Sequence, residues 1–436
     1  MASKQLGVLT AVIASLIGAA VMAHAGDDSI QKELDRLNQL TGSDTRQAVV
    51  QKLLKNQERA KKLIQAGLPS ATKKEMAYEA ALILAMAAAD LKEMKASETY
   101  FRVCMDKAAK LQSFEKLTES YIPLIRIYYD YKQYADSARI CKELLELNTE
   151  DGKERIVIRT MTDRFGEAGF REEQDGFQTA ARLRPYVREN YIKALAKQGK
   201  HDQAIKMVDG LVKQKNGDWR DQYLQGWVYN EAGRFDESAK IYERVIGQVD
   251  QDNRLEQDEK DQYISQFRYE AANIYVDLKN IDRATEHFEY LLKKNPNNPV
   301  YYNDLGYIWA DHDMKLEEAE KLIRKAIDLH RDIRKKAKDF DPKTDHDSGA
   351  FLDSLGWVLY KQKKNAEAKE WLLKAIEDKS SWHIEIYDHL GDVHVALGER
   401  DLALKAWRKG LEHVNPGRRD QERKVSVEKK IEKHSK

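Results

Sequence analysis

The sequence predicts an all-α fold, a right-handed α-solenoid of about eight or nine stacked helix pairs. Three observations carry the prediction. The 436 residues include only 7 Pro, with 34% charged and 42% hydrophobic side chains, a composition suited to long amphipathic helices. A small residue recurs at Ala204, Ser238, Ala284, Ala319, Ala368 and Ala403, at spacings of 34, 46, 35, 49 and 35. The stretches Gly233 to Tyr242, Lys279 to Phe288 and Gly398 to Trp407 align so that their small and aromatic slots coincide. One helix pair cannot bury its apolar face alone, so a repeat of this period has to stack on its neighbours. Such an array grows linearly, and the length does not call for separate globular domains.

Residues 1–25 read as a secretory signal peptide, with Lys4, an apolar run from Leu6 to Met22, and Ala23-His24-Ala25 before the polar Gly26-Asp27-Asp28. The run is rich in Ala, Gly, Ser and Thr, whereas a spanning helix needs about 20 strongly apolar residues. Cleavage after Ala25, a periplasmic or secreted location and no stable membrane insertion afterwards are therefore expected. Residues 26–75 form an N-terminal helical region, with helices from Ile30 to about Leu40 and Thr45 to about Gln65, closed by Gly67 and Pro69. Residues 76–184 read as degenerate repeats. Met76 to Ala89 is the Ala-rich first helix of a pair ending near Lys110, Glu119 to Leu147 follows as a clearer repeat, and Gly152 to Leu183 blurs into a divergent helix pair. Residues 185–415 are regular repeats, and their two long spacings place insertions near 249–260 and 331–348, expected as helix extensions or edge loops. Residues 416–436 are a charged C-terminal capping helix or tail.

Lys and Arg number 74 against 73 Asp and Glu, a net charge of +1, so there is no global basic surface for nucleic acid and none is expected as a partner. Cys104 and Cys141 are the only cysteines. Either they pair, which a secreted location permits, or they are buried small hydrophobes.

Leu305-Gly306, Leu355-Gly356 and Leu390-Gly391 each fall in the middle of a first helix. Glycine there costs about 1 kcal/mol of helix propensity and is tolerated because the partner helix comes close. Trp309, Leu359, Phe288, Leu372 and Trp407 are expected to fill the space between helices. With these motifs the chain resembles the tetratricopeptide repeat family over about residues 76–415, and its final repeats resemble exported bacterial scaffold or adaptor proteins, although the lipid-bearing Cys that many of those carry is missing. The resemblance implies ligand binding in a concave groove lined by the first helices. Counted from the Leu-Gly slots, the groove positions are Arg220, Tyr223, Trp227 and Asn230, then Tyr269 and Asn273, then Asn303 and Tyr307, then Asp353, Trp357 and Tyr360. Aromatics and amides of this kind suit an extended peptide or a partner helix, and Trp357 with Tyr360 is expected as an exposed anchor. The family's carboxylate clamp is not expected, because Asn273 is preceded by Tyr269 instead of Lys.

No catalytic, phosphate-loop or dinucleotide motif is present. Asp345-His346-Asp347 and Asp311-His312-Asp313 read as solvated turns, and no metal or cofactor is expected. His389 and His394, five apart, fall on different helix faces. The reading is a non-catalytic protein-protein interaction scaffold of the bacterial cell envelope. The alternatives are an envelope hydrolase or processing enzyme with a site in residues 152–200, or a structural, self-assembling envelope protein; self-association is left open.

Overall fold

The structure is a computed structural model that describes residues 29–40, 46–111, 113–147, 154–156, 174–214, 218–338, 340–342 and 345–435. The signal expected in residues 1–25 lies outside the described residues. Eight helix pairs follow one another among the described residues: 78–110, 114–144, 174–214, 219–251, 257–294, 299–335, 349–375 and 384–411. They form an all-α repeat solenoid. The chain divides into two compact units, residues 1–213 and 214–436.

The same turn joins the two helices of every pair. A residue at the same place takes a left-handed conformation, Gly199, Gly233 and Gly398 in three turns and Lys92, Lys132, Lys279, Asp313 and Lys363 in the others, and the longer turn after Asp313 adds Lys315. A backbone N–H beyond it then reaches back to close the helix, as Arg234 does to the Tyr229 carbonyl at 2.8 Å and Glu399 to that of His394 at 2.8 Å. A glycine adopts this conformation without the strain a side chain meets. Where the small slot is serine, its hydroxyl donates to a first-helix carbonyl twelve residues earlier: Ser97 to Ala85 at 2.8 Å, Ser137 to Ile125 at 3.0 Å and Ser238 to Gly226 at 2.7 Å. The earliest pairs therefore repeat the geometry of the later ones.

In the unit of residues 1–213, a helix over residues 29–38 and the helices Arg46–Leu54 and Gln57–Thr72 precede the first pair. Pro69 does not end this region as expected; it sits inside the last of these helices. Pro185, the first residue of the span expected as regular repeats, likewise lies inside a helix, Gln174–Lys197. Arg46 bridges the first helices of two pairs, donating to Glu79 at 2.9 Å and Glu119 at 3.1 Å. Of the segment from Gly152 to Leu183, expected as a divergent helix pair, Glu154–Ile156 instead pairs with Leu145–Leu147 in a short antiparallel ladder, and the described part from Gln174 is helical. Residues 157–173 lie outside the described residues. Cys104 and Cys141 are both free and buried. Burial raises both thiols well above their ordinary range, which leaves them inert small hydrophobes.

In the unit of residues 214–436, the core runs between successive pairs through Phe288, Trp309, Leu359 and Leu372, and ends in a smaller cluster of Ile384, Ala403, Trp407 and Val427. The first insertion lengthens two helices, Phe235–Gln251 and Gln257–Asp277, the second started by a reciprocal Glu256–Glu259 cap. The second insertion extends Leu316–Lys335, and Arg331 and Arg334 in its last turns hold Asp347 at 2.5 and 2.7 Å. Asp345 and Asp347 are thus engaged by arginines.

Candidate functional site

Positions three and four apart on a helix share a face, and such faces of successive first helices meet on one inner surface, where Tyr223 reaches Glu270, Tyr269 reaches Asp304 and Tyr307 reaches Glu385. Toward its end that surface is a charge network. Asp353 meets His389 at 2.9 Å, and both are buried. Burial works against a charged imidazole, but Asp353 beside it overrides this and leaves the His389 pKa raised. Tyr307 donates to Glu385 at 2.7 Å, and Glu385 also pairs with Arg423. Burial would raise the Glu385 carboxyl, yet the guanidinium holds it below the usual range.

Trp357 was expected as an exposed anchor. It is instead 8% exposed, stacked on His389 with ring centroids 4.0 Å apart, and its indole N–H donates to Asp311 at 3.1 Å. Tyr360 is half-buried and stacks on Trp357 at 5.1 Å. The cause lies in adjacent pairs: Gly356 lets the helix Asn365–Ala375 come close, where a Cβ would stand 2.6 Å from Leu372 Cγ, and the His389 ring of the next pair then fits over the indole. His394, like His389, is buried and acid-paired, to Glu399 at 2.6 Å.

Residues 416–436 were read as a capping helix or tail, and most of them form the helix Arg418–Ser435, which packs on both helices of the last pair and reaches this inner surface with its cations. Its buried residue is Val427. Arg423 reaches Glu385 and, at 3.2 Å, Asp388, while Lys430 bridges Asp388 at 2.6 Å and Asp392 at 2.7 Å. The first turn extends to a helix three pairs earlier, where Arg418 and Arg419 meet Asp277 at 2.8 and 3.1 Å and Arg419 donates to the Asn273 carbonyl at 3.4 Å. The run of charge at 418–430 was the sequence signal for this contact, but its acidic partners are split between the last repeat and the one three before it.

The remaining groove positions behave differently. Asn273 spends its amide on the Tyr269 carbonyl at 2.9 Å. Asn303 is buried, its amide donating to Asp304 at 3.2 Å and its carbonyl oxygen without a hydrogen-bond partner. Tyr223 donates to Glu270 at 3.0 Å and stacks on Phe267 at 4.6 Å, and Arg220 lies exposed over the Trp219 ring. Trp227 and Asn230 are half-buried on the same helix. A cleft of about 710 Å³ opens where the lengthened helix Gln257–Asp277 faces Asn298, Val300 and Tyr301 of the next pair. Gln262, Ser265, Gln266 and Tyr269 of the lengthened helix line one wall, and Tyr269 packs at 5.7 Å against Tyr301 of the other. Tyr301, Val300 and the extended helix end were not among the expected site residues, although the long spacing before Ala284 marked the insertion that builds the wall.

Comparison with known proteins agrees with this geometry. Residues 192–253, 269–332 and 350–379 match tetratricopeptide repeat families. These stretches of the chain are tetratricopeptide repeats. Relatives of the chain include the TPR repeat-containing protein PA4667 of Pseudomonas aeruginosa, 29% identical over 124 residues, which are 28% of this chain and 18% of that protein. Another is the human protein O-mannosyl-transferase TMTC3, 25% identical over 232 residues, 46% of this chain and 22% of that protein. The chain spans about a fifth of the length of these curated relatives. Among solved structures, a tetratricopeptide repeat protein from Parabacteroides merdae is 15% identical with a TM-score of 0.45, covering 72% of this chain and 99% of that one. MamA from Desulfovibrio magneticus is 18% identical with a TM-score of 0.34, covering 45% and 95%. Tetratricopeptide repeats build protein-protein interaction scaffolds in general. Among the described residues no helix is long and apolar enough to cross a membrane.

Proposed function

We propose that this chain is a non-catalytic adaptor of the cell envelope that holds a segment of another protein against the inner face of its 214–436 unit. The observation that carries the reading is the cleft between the helix Gln257–Asp277 and the following pair, where two packed tyrosines, one from each side, stand beside amides and a serine. Tyrosine rings supply contact area at small entropic cost, and amides satisfy the donors and acceptors of a bound backbone. The envelope location is supported by the apolar run and Ala23-His24-Ala25 of the N-terminus. Intact mass of exported protein tests that part: a mature chain starting at Gly26 is expected, and a membrane-held species retaining residues 1–25 would overturn it.

The binding reading is tested with a photoreactive phenylalanine placed at Gln266, exposed on the cleft wall, and separately at Glu289, exposed on the second helix of the same pair. Irradiation in the native envelope is expected to trap a discrete protein from position 266 and none from position 289. Equal trapping at both positions, or none at 266, would place partner capture elsewhere.

A further inference from the structure

We infer that the inner face of the 214–436 unit is built to receive a basic amphipathic helix, and that the chain's own helix Arg418–Ser435 is a resident occupant which a partner's helix displaces. The inference rests on the adaptor reading and names the chemistry of its partner. Charge complementarity carries it. The receiving surface offers Asp277, Glu385, Asp388 and Asp392, and the resident helix answers with Arg418, Arg419, Arg423 and Lys430. Arg419, Arg423 and Lys430, spaced by four and seven residues, stand on one face with Val427 between them.

The helix does cap an apolar end, with Val427 buried and Ile431 packed against Ile384, Ala403 and Trp407, but its cations reach beyond that end to carboxylates of two first helices, which a plain cap would not require. The attachment also has two parts of unequal strength. Arg423 and Lys430 are half-buried against enclosed acids, whereas the side chains of Arg418 and Arg419 are 46% and 55% exposed, so their bridge to Asp277 is screened by solvent and salt. That weak end is anchored on the helix whose Gln266 and Tyr269 line the cleft. A segment following the inner face from the cleft therefore meets Arg418 and Arg419 first, and competes for the same acids.

The test uses the full chain and a fluorescent synthetic peptide of residues 416–436, with binding read by anisotropy. Arg418→Glu with Arg419→Glu frees the weak end of the resident helix while leaving Asp277 and the buried pairs intact, and this variant is expected to bind the peptide about 10-fold or more tighter than the unaltered chain, with affinity falling as NaCl rises. Asp277→Lys removes an acid that the resident helix and the peptide share, and is expected to give no such gain. A peptide carrying Arg423→Glu and Lys430→Glu is expected not to bind. The inference is overturned if the peptide binds none of the proteins, if all bind it equally, or if the charge-reversed peptide binds as well. It is also overturned if the variants become dimers in solution by exchanging their helices, since the occupant is then a second copy. Trapping of a partner at position 266 with no exchange of the peptide would sink this inference while leaving the adaptor reading intact.

Discussion

Replacing Gly391 by alanine turns the closest helix approach of the last repeat into a measurable clash. An added Cβ would stand 2.5 Å from Trp407 Cδ1 and 2.6 Å from Cε2, against an ordinary carbon contact of about 3.5–4.0 Å. The indole has little room to retreat. It is 1% exposed, its N–H donates to the Asp388 carbonyl at 3.2 Å, and the His434 ring packs on it at 5.4 Å. Overpacking of this kind costs about 1–3 kcal/mol, and losing the indole hydrogen bond about 1 more. Alanine returns about 1 kcal/mol of helix propensity. The net expectation is a loss of about 1–3 kcal/mol. Trp407→Ala alone should cost about 3–5 kcal/mol, and in that background Gly391→Ala should reverse sign and stabilise by up to about 1 kcal/mol. All seven tryptophans lie between Trp219 and Trp407, so tryptophan fluorescence during guanidinium unfolding reports the 214–436 unit selectively. An unshifted midpoint for Gly391→Ala, or an equal loss with and without Trp407, would refute the close-approach explanation of the Leu-Gly motif.

Trp357→Ala should destabilise the same unit by about 3–5 kcal/mol, since the ring is buried between His389 and Tyr360; an unchanged fluorescence midpoint would mean that the ring is free. His389 holds its proton more tightly folded than unfolded, so its contribution is complete below its ordinary pKa of about 6.5 and is lost as pH rises through the raised value. Unfolding midpoints should fall over that window in the unaltered protein and fall less in His389→Gln, and parallel pH profiles would refute the pairing. Asp347→Ala should cost about 1 kcal/mol by leaving Arg331 and the more enclosed Arg334 without a shared carboxylate; a neutral variant would show residues 345–348 to be dispensable. Cys104 and Cys141 should resist alkylation until guanidinium is added and then both react, whereas a mass two protons short of the dithiol form would show a disulfide.

The helix pairs were legible in the sequence because their causes are local. A small residue, an aromatic and a turn at fixed offsets impose the same packing wherever they recur, which is how Ala284, Ala319 and Ala403 marked second helices before any coordinates. Pro69, expected to close the N-terminal region, and Pro185, the first residue of the span expected as regular repeats, show the limit of that locality, since helices retained by tertiary packing can carry a missing N–H. The groove was legible only as a stripe of positions. Arg220, Tyr223, Asn273 and Trp357 all fall on the stripe of groove positions, yet one is exposed over a neighbouring indole, one is tied to Glu270, one serves its own helix and one is buried under a histidine from the next pair. Which of them meets solvent depends on contacts between residues 30 to 150 positions apart, as when Arg419 reaches Asp277 or Glu385 binds both Tyr307 and Arg423. By itself the sequence determined the repeating helix pair, because that unit is specified by neighbours within one period. Only the tertiary structure decided that the chain's last helix covers part of the inner face and leaves the 257–301 cleft open, because stacking brings together carboxylates and cations that no local pattern relates.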